Sequence, residues 1–287
     1  MNNYLLSEAI GDIAGSAYEF DPNKEYNQIQ VFHPRSNYTD DTVCTFACAE
    51  ALLNGTDMAE NLYRRCHQHP YAGYGGRFRR WLYDSAPDGR AALDRLRRGE
   101  SPEGVAPSYG SFGNGSAMRC SAAGWLAQSE EECIRLATAT AMPTHDHPEG
   151  IKGAVATALA IFYLKNGKDK AYIQEHVLRR YYPDWADRSY TQIHPGYDFD
   201  ETCQRTVPAA LICFLASNDY VDCLRLAIAL GGDADTLAAI AGPMAYAHYG
   251  TMPDELVRQA LELLPSWMVE LNNRFDARMQ EIHANIQ

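Results

Sequence analysis

The chain has 287 residues, 46% of them hydrophobic, enough to bury a sizeable core in one large domain or two small ones. Its formal charge of −12 argues against broad electrostatic binding of nucleic acid, which sets Lys and Arg against phosphate. No stretch reaches the roughly 18 apolar residues that cross a membrane, and the N-terminus lacks the basic and apolar regions of a signal peptide.

In chain order, Leu5, Leu6, Ala9, Ile10, Ile13 and Ala17 recur at helical spacing and predict a first helix ending near Glu19-Phe20. Residues 21–38 carry Pro22 and Pro34 and no sustained period, which reads as a long loop of functional interest. Residues 42–53 are apolar on almost every side, predicting a buried helix stopped by Asn54-Gly55. Helices over 58–67 and 77–83 follow. Residues 85–115 are rich in Gly, Pro and Ser, with one short helix near 91–98.

Further helices are expected over 116–127 and 131–141. Pro148 suits the first turn of a long Ala-rich helix that ends at Asn166-Gly167. After a helix over 171–181 comes an aromatic loop, 183–199, and then helices over 201–216, 221–230, 236–249, 255–263 and 267–284. Nothing alternates like a strand, and no linker or repeat divides the chain. The expectation is a single compact all-α, multi-helix domain over residues 1–287.

Eight cysteines occur without a Cys-x-x-Cys pair, several inside apolar helical runs, and they read as reduced core thiols of a cytoplasmic protein. Two basic clusters, Arg77 with Arg79 and Arg80, and Arg95 with Arg97 and Arg98, read as solvated helix faces, although a locally basic pocket stays open.

Two acidic segments carry the strongest chemical signal. Thr39-Asp40-Asp41-Thr42 and Asp233-Ala234-Asp235-Thr236 each open an apolar helical run, the second directly after Gly231-Gly232. Either alone is an ordinary helix cap. Together they place four carboxylates and several hydroxyls at the ends of buried elements, where like charges repel unless something neutralises them. The donors are all hard oxygens, which favours Mg²⁺, Mn²⁺ or Ca²⁺ over Zn²⁺. Glu19 is a plausible fifth acid, and five carboxylates suffice for two ions that position and ionise a water.

The segment from Ser111 to Arg119, Ser-Phe-Gly-Asn-Gly-Ser-Ala-Met-Arg, is a glycine-rich loop running into a helix, suited to a phosphate or diphosphate and equally to a plain turn. In Thr144-His145-Asp146-His147-Pro148, either histidine could cap the next helix, bind a ligand or titrate.

Taken together, these segments resemble the ADP-ribosylglycohydrolase family. The matching pieces are Gly11-Asp12-Ile13-Ala14-Gly15 with Tyr18-Glu19-Phe20, then Tyr38-Thr39-Asp40-Asp41-Thr42, Phe112 to Arg119, Thr144-His145, and Gly231 to Thr236 continuing through Ala241-Gly242. The resemblance implies an all-α fold with a centre of two Mg²⁺ or Mn²⁺ ions held by Glu19, Thr39, Asp40, Asp41, Asp233, Asp235 and Thr236. It also implies substrate contacts from Ser111, Phe112, Gly113, Asn114, Gly115, Ser116, Met118 and His145. Ala234, where the family usually has Thr, and Ser116, in place of a commoner small residue, are departures expected to tune the site.

The implied activity removes ADP-ribose from a modified acceptor by cleaving the bond at C1 of the distal ribose. Glu19, Asp41 and Asp235 would be the catalytic acids, with Asp41 or Glu19 drawing the proton from the attacking water. The substrate would be an ADP-ribosylated protein or a small ADP-ribose adduct, arginine-linked first, with nucleic acid expected only as a modified base. A non-catalytic ADP-ribose binder and a nucleotide phosphohydrolase are the alternatives. Acceptor choice is expected in the loops 21–38, 69–76 and 183–199, through Tyr71, Tyr74, Trp185, Tyr190 and Tyr197.

Overall fold

The computed structural model describes residues 3–83 and 105–284, and the short helix expected near 91–98 lies outside them. Among the described residues the protein is all α, as expected, with one isolated bridge between Gly113 and Thr202. The helices are α1 Leu6–Ser16, α2 Asp40–Asn54, α3 Met58–Gln68, α4 Gly76–Tyr83, α5 Gly115–Met118, α6 Ser121–Leu126, α7 Glu130–Ala141 and α8 Pro148–Lys165. They continue as α9 Lys170–Ile173, α10 Tyr190–Ile193, α11 Cys203–Ala216, α12 Tyr220–Leu230, α13 Ala234–Tyr249, α14 Asp254–Leu263 and α15 Ser266–Ala284.

The caps explain where the site helices begin. Thr39 is the N-cap of α2, its hydroxyl accepting from Asp41 N, so α2 starts at Asp40 rather than two residues later. Pro148 sits in the first turn of α8, and His147 caps it, Nδ1 accepting from Glu149 N at 3.1 Å. Of the roles open to His147, this one is realised.

Local differences from the sequence pattern have local causes. The helix expected over 116–127 is two helices, because the chain leaves helical geometry at Arg119 (φ −99°, ψ 2°) and Cys120 (φ −93°, ψ 0°), where Arg119 turns its side chain inward. The helix expected over 171–181 passes from α9 into a π turn, Gln174–Arg179. The aromatic segment 183–199 holds α10 between two 3-10 turns, Pro183–Trp185 and His194–Gly196. All eight cysteines are buried free thiols.

The centre of the fold is the pair α1 and α13. A Cβ on Gly11 would stand 2.2 Å from Ala238 O, and one on Gly15 would stand 2.3 Å from Asp235 Cα. Only glycine lets the two helix backbones approach so closely. That approach sets Asp12, and Glu19 beyond the end of α1, beside the first turn of α13. No helix among the described residues is long and apolar enough to cross a membrane.

Candidate active site

Both acidic segments line one cavity of about 530 Å³. Asp40 and Asp41 reach it from the first turn of α2, and Asp235 and Thr236 from the first turn of α13. Asp233 precedes α13 and follows Gly231 (φ 83°) and Gly232 (φ 78°), a pair of left-handed positions that turn the chain sharply into the cavity. Glu19 arrives from the turn after α1. Oxygens of Glu19, Asp233 and Asp235 lie within 4.8 Å of one another.

Crowding shows in the protonation of these groups. Burial, and then the charge of Asp233, pushes Glu19 up to about 7. Burial holds Asp40 and Asp41 well above the usual carboxylate range, with Asp12 the next contributor to each. Asp235 is raised well above it by burial, then by Asp233 and Asp41. Asp41 Oδ1 is buried with no hydrogen-bond partner. An unpaired buried carboxylate oxygen among other carboxylates is costly, and a divalent cation removes the cost. The donor set is carboxylate and hydroxyl throughout, so these residues fit a hard cation.

Beneath the acids lies Asp12, fully buried on α1. Its Oδ2 accepts from Thr39 N (2.8 Å), Thr42 N (3.1 Å) and Thr42 Oγ1 (2.5 Å), and its Oδ1 accepts from Thr39 Oγ1 (2.7 Å). One carboxylate thus holds the start of α2 to α1. Because Thr39 donates its hydroxyl proton to Asp12, its oxygen keeps lone-pair density for other partners.

The other part of the cavity lining is the glycine-rich loop. Ser111, Phe112, Gly113, Asn114 and Gly115 line the cavity there, with Met118, Arg119, His145, Tyr109 and the exposed Arg77. The loop is fastened on both sides. Ser111 N donates to Thr144 O, Asn114 N donates to Glu201 O at 2.7 Å, and Cys203 N donates to Phe112 O. Asn114 Nδ2 bridges the two ends of the cavity, donating to Asp233 Oδ2 at 2.7 Å and to Thr206 Oγ1 at 3.1 Å. Burial, and then Arg119 and Arg77, holds His145 well below the usual histidine range, so its ring is neutral.

The structure therefore gathers Glu19, Asp40, Asp41, Asp233, Asp235, Thr236, Ser111, Phe112, Gly113, Asn114, Gly115, Met118 and His145 around one cavity. Two expected site residues stand outside its lining. Thr39 lies behind Asp40, engaged with Asp12. Ser116 is fully buried and its hydroxyl donates to Gly150 O, so its side chain seats the loop on α8.

The loops expected to choose the acceptor contribute less than anticipated. Gly73, Gly75 and Gly76 line the cavity, whereas 21–38 and 183–199 supply none of the lining. Tyr74 and Tyr197 are buried core residues, and Tyr190 donates to Leu226 O. The rings at the cavity are instead Phe20, Phe78, Tyr109 and Phe112.

Sequence reasoning gave no role to Asp12, Glu201, Thr206, Tyr109 or Arg119 as single residues. Asp12 had a signal, since a charged residue between Gly11 and Gly15 on an otherwise apolar helix must find buried partners. Of the first basic cluster, Arg79 and Arg80 are solvated as expected, while Arg77 borders the cavity.

Comparison with known proteins identifies the family and the fold. The family model for ADP-ribosylglycohydrolase matches residues 3–285. The chain is 26% identical to ADP-ribosylhydrolase ARH3 of Homo sapiens, over 86% of this chain and 84% of that protein. It is 27% identical to the ADP-ribosyl-[dinitrogen reductase] glycohydrolase of Rhodospirillum rubrum, with the same two coverages, 86% and 84%. It is 28% identical to ADP-ribosylarginine hydrolase Tri1 of Pseudomonas putida strain GB-1, over 89% of this chain and 72% of that protein. A solved structure described as an ADP-ribosylglycohydrolase-related protein complex has the same fold, with a TM-score of 0.68, 24% identity, and coverage of 97% of this chain and 96% of that one. With its all-α fold, its paired acidic helix starts and a match along nearly its whole length, the chain belongs to the ADP-ribosylglycohydrolase family of enzymes.

Proposed function

We propose that this enzyme hydrolyses the bond between an acceptor and C1 of the distal ribose of ADP-ribose, and that arginine-linked ADP-ribose is its first substrate. One observation supports the reading: a single cavity is lined both by the glycine-rich Ser111–Gly115 loop and by Glu19, Asp40, Asp41, Asp233 and Asp235. A dianionic diphosphate suits the loop, and a ribose with its leaving group then extends toward the acids.

Two divalent cations, Mg²⁺ or Mn²⁺, would be held by Glu19, Thr39, Asp40, Asp41, Asp233, Asp235 and Thr236. When bound they supply Lewis-acid polarisation of the ribose hydroxyls and the attacking water. The chain's own residues do the rest. The Ser111–Gly115 loop, whose Ser111, Gly113 and Asn114 N–H groups are engaged within the protein, would hold the diphosphate through its remaining donors, which spends remote binding on orientation. Asn114, tied to Asp233, keeps the two ends in register. Asp41 or Glu19 takes the proton of one water as its oxygen bonds to C1 through an oxocarbenium-like state, the C1–N bond breaks, and that proton passes to the leaving acceptor nitrogen.

An acidic surround suits a cationic acceptor. Glu201 lines the cavity near Asp233. Phe20, 82% exposed, stacks on Phe199 with ring centroids 6.2 Å apart, a platform for a planar guanidinium. The named relatives include an ADP-ribosylarginine hydrolase, in keeping with that choice. The eight free thiols fit a reducing, cytoplasmic setting.

The test is release of free ADP-ribose from ADP-ribosyl-arginine with Mg²⁺ or Mn²⁺, repeated with EDTA. Release that EDTA abolishes is the expected result. Release of phosphate or a nucleoside monophosphate would make the enzyme a phosphohydrolase. Binding of ADP-ribose without turnover of arginine, serine, nucleobase or small O-linked adducts would make the protein a binder.

A further inference from the structure

His145 reaches the cavity from the turn between α7 and α8, and the position of its ring proton decides whether it donates or accepts there. The groups behind it bear on that choice. Arg119 is completely buried, and a guanidinium can only donate. Its Nε and Nη2 donate to Thr140 O at 3.0 and 2.8 Å, and Nη2 also donates to Thr144 Oγ1 at 2.8 Å. Thr144 Oγ1 therefore accepts from Arg119 while keeping its own proton, and it stands 2.8 Å from His145 Nδ1. An imidazole lone pair turned toward a buried cation is favoured over an N–H turned toward it.

The other nitrogen faces the glycine loop. His145 Nε2 lies 3.1 Å from where a Cβ on Gly115 would stand, and 3.6 Å from the same position on Gly113. With the Arg119 cation behind Thr144, a Thr144 hydroxyl proton directed at Nδ1 is favoured over an Nδ1–H, which leaves Nε2 to carry the ring hydrogen; Tyr109, also hydrogen-bonded to Thr144, is the competing acceptor for that proton.

We infer that Arg119, acting through Thr144, fixes His145 as its Nε2–H tautomer and so makes it a neutral hydrogen-bond donor to the ADP-ribose oxygens held at the Ser111–Gly115 loop. The inference rests on reading that loop as the diphosphate cradle. Arg119 and Thr144 are positioning residues here, and the neutral donor is their product. A neutral donor favours oxygen acceptors without adding a further charge beside Arg77 and Arg119.

Ring-¹⁵N-labelled histidine in the full chain tests this directly, with a His145→Gln variant to assign the signal. In the wild type, Nε2 is expected to show the protonated-type nitrogen shift and Nδ1 the unprotonated type. Thr144→Val should abolish that pattern and weaken ADP-ribose binding, read by calorimetry, about tenfold, the scale of one lost hydrogen bond in a dry site. Thr144→Ser should restore both.

An Nδ1–H tautomer in the wild type, or an unchanged pattern in folded Thr144→Val, overturns the inference. Where Thr144→Val does not fold, the wild-type and Thr144→Ser spectra decide it. A wild type that shows the Nε2–H pattern but does not bind ADP-ribose overturns the reading of the cavity and leaves the tautomer assignment standing.

Discussion

At one end of the cavity, burial and the crowding of neighbouring carboxylates raise Glu19, Asp40, Asp41 and Asp235 above the ordinary carboxyl range. At the other, Ser111 to Gly115 present a loop already fastened by Thr144, Glu201 and Cys203, with buried Arg119 behind it. The first end is electrostatically frustrated, with Asp41 Oδ1 buried and lacking a hydrogen-bond partner. The second is satisfied internally, with the Ser111, Gly113 and Asn114 N–H groups all engaged. The difference teaches where binding and chemistry separate: a relaxed surface can position a ligand, whereas a strained cluster stores the demand for charge that a metal answers.

The largest test of that contrast is Asp235→Ala. It should remove the metal centre, with turnover below detection and metal content lost by elemental analysis, while ADP-ribose still binds at the loop. Full turnover with unchanged metal content would sink the scheme.

Asp12→Asn should come next, because an amide cannot accept at both oxygen positions. Three donors converge on Oδ2, so the amide nitrogen would face Thr39 and reverse that hydrogen bond. Metal affinity should drop by about 10–100-fold, the usual cost of losing a partner behind a ligand. Titration with Mn²⁺ reads the change, and circular dichroism should show the helices intact.

Gly115→Ala strikes the other end. Its Cβ would meet His145 Nε2 at 3.1 Å and Cε1 at 3.2 Å, so ring or loop must shift. ADP-ribose affinity should fall by about tenfold, about 1.4 kcal/mol, with metal binding untouched. An equal loss of metal affinity would show the two ends to be less separable than their hydrogen bonding implies.

The smallest effect on either end should come from Glu50, far from the cavity lining. Burial raises this carboxyl, but Arg65 and Arg64 outweigh it and bring it down to about 2. A folded value below the unfolded one contributes stability above about pH 4.3 that is lost as pH falls toward 2. Glu50→Gln should therefore cost about 1–3 kcal/mol near neutrality and flatten acid unfolding across that window. Denaturant melts at pH 7 and pH 3 measure it, and a variant with wild-type pH dependence would refute the assignment.

The helical run lengths were legible in the chain because amphipathic period and caps are local. Asn54-Gly55, Pro148 and the apolar run after Thr42 mark their elements within a residue or two. The break at Arg119 was not legible, since Ala-Met-Arg-Cys-Ser-Ala reads as continuous helix and only the carbonyl of Thr140, on a distant helix, draws Arg119 out of line. The rings that line the cavity were also misplaced, because exposure of an aromatic in a loop depends on what packs beneath it. Tyr74 and Tyr197 found buried positions, while Phe20, at the end of an apolar run, came out into solvent.

By itself the sequence named the candidate acids, the loop and the histidine, because residue type and spacing state the chemistry on offer. Only the tertiary structure decided which of them share a cavity and what each one faces. Asp12 is the clearest case. Its identity was visible, but its task of holding Thr39 and Thr42, 27 and 30 positions away, depended on α1 packing against the start of α2, just as the approach of α1 to α13 through Gly11 and Gly15 joins residues more than two hundred positions apart. Local pattern specifies helices because their hydrogen bonds close within a turn, and it carries no record of distant surfaces that meet only when the core is formed.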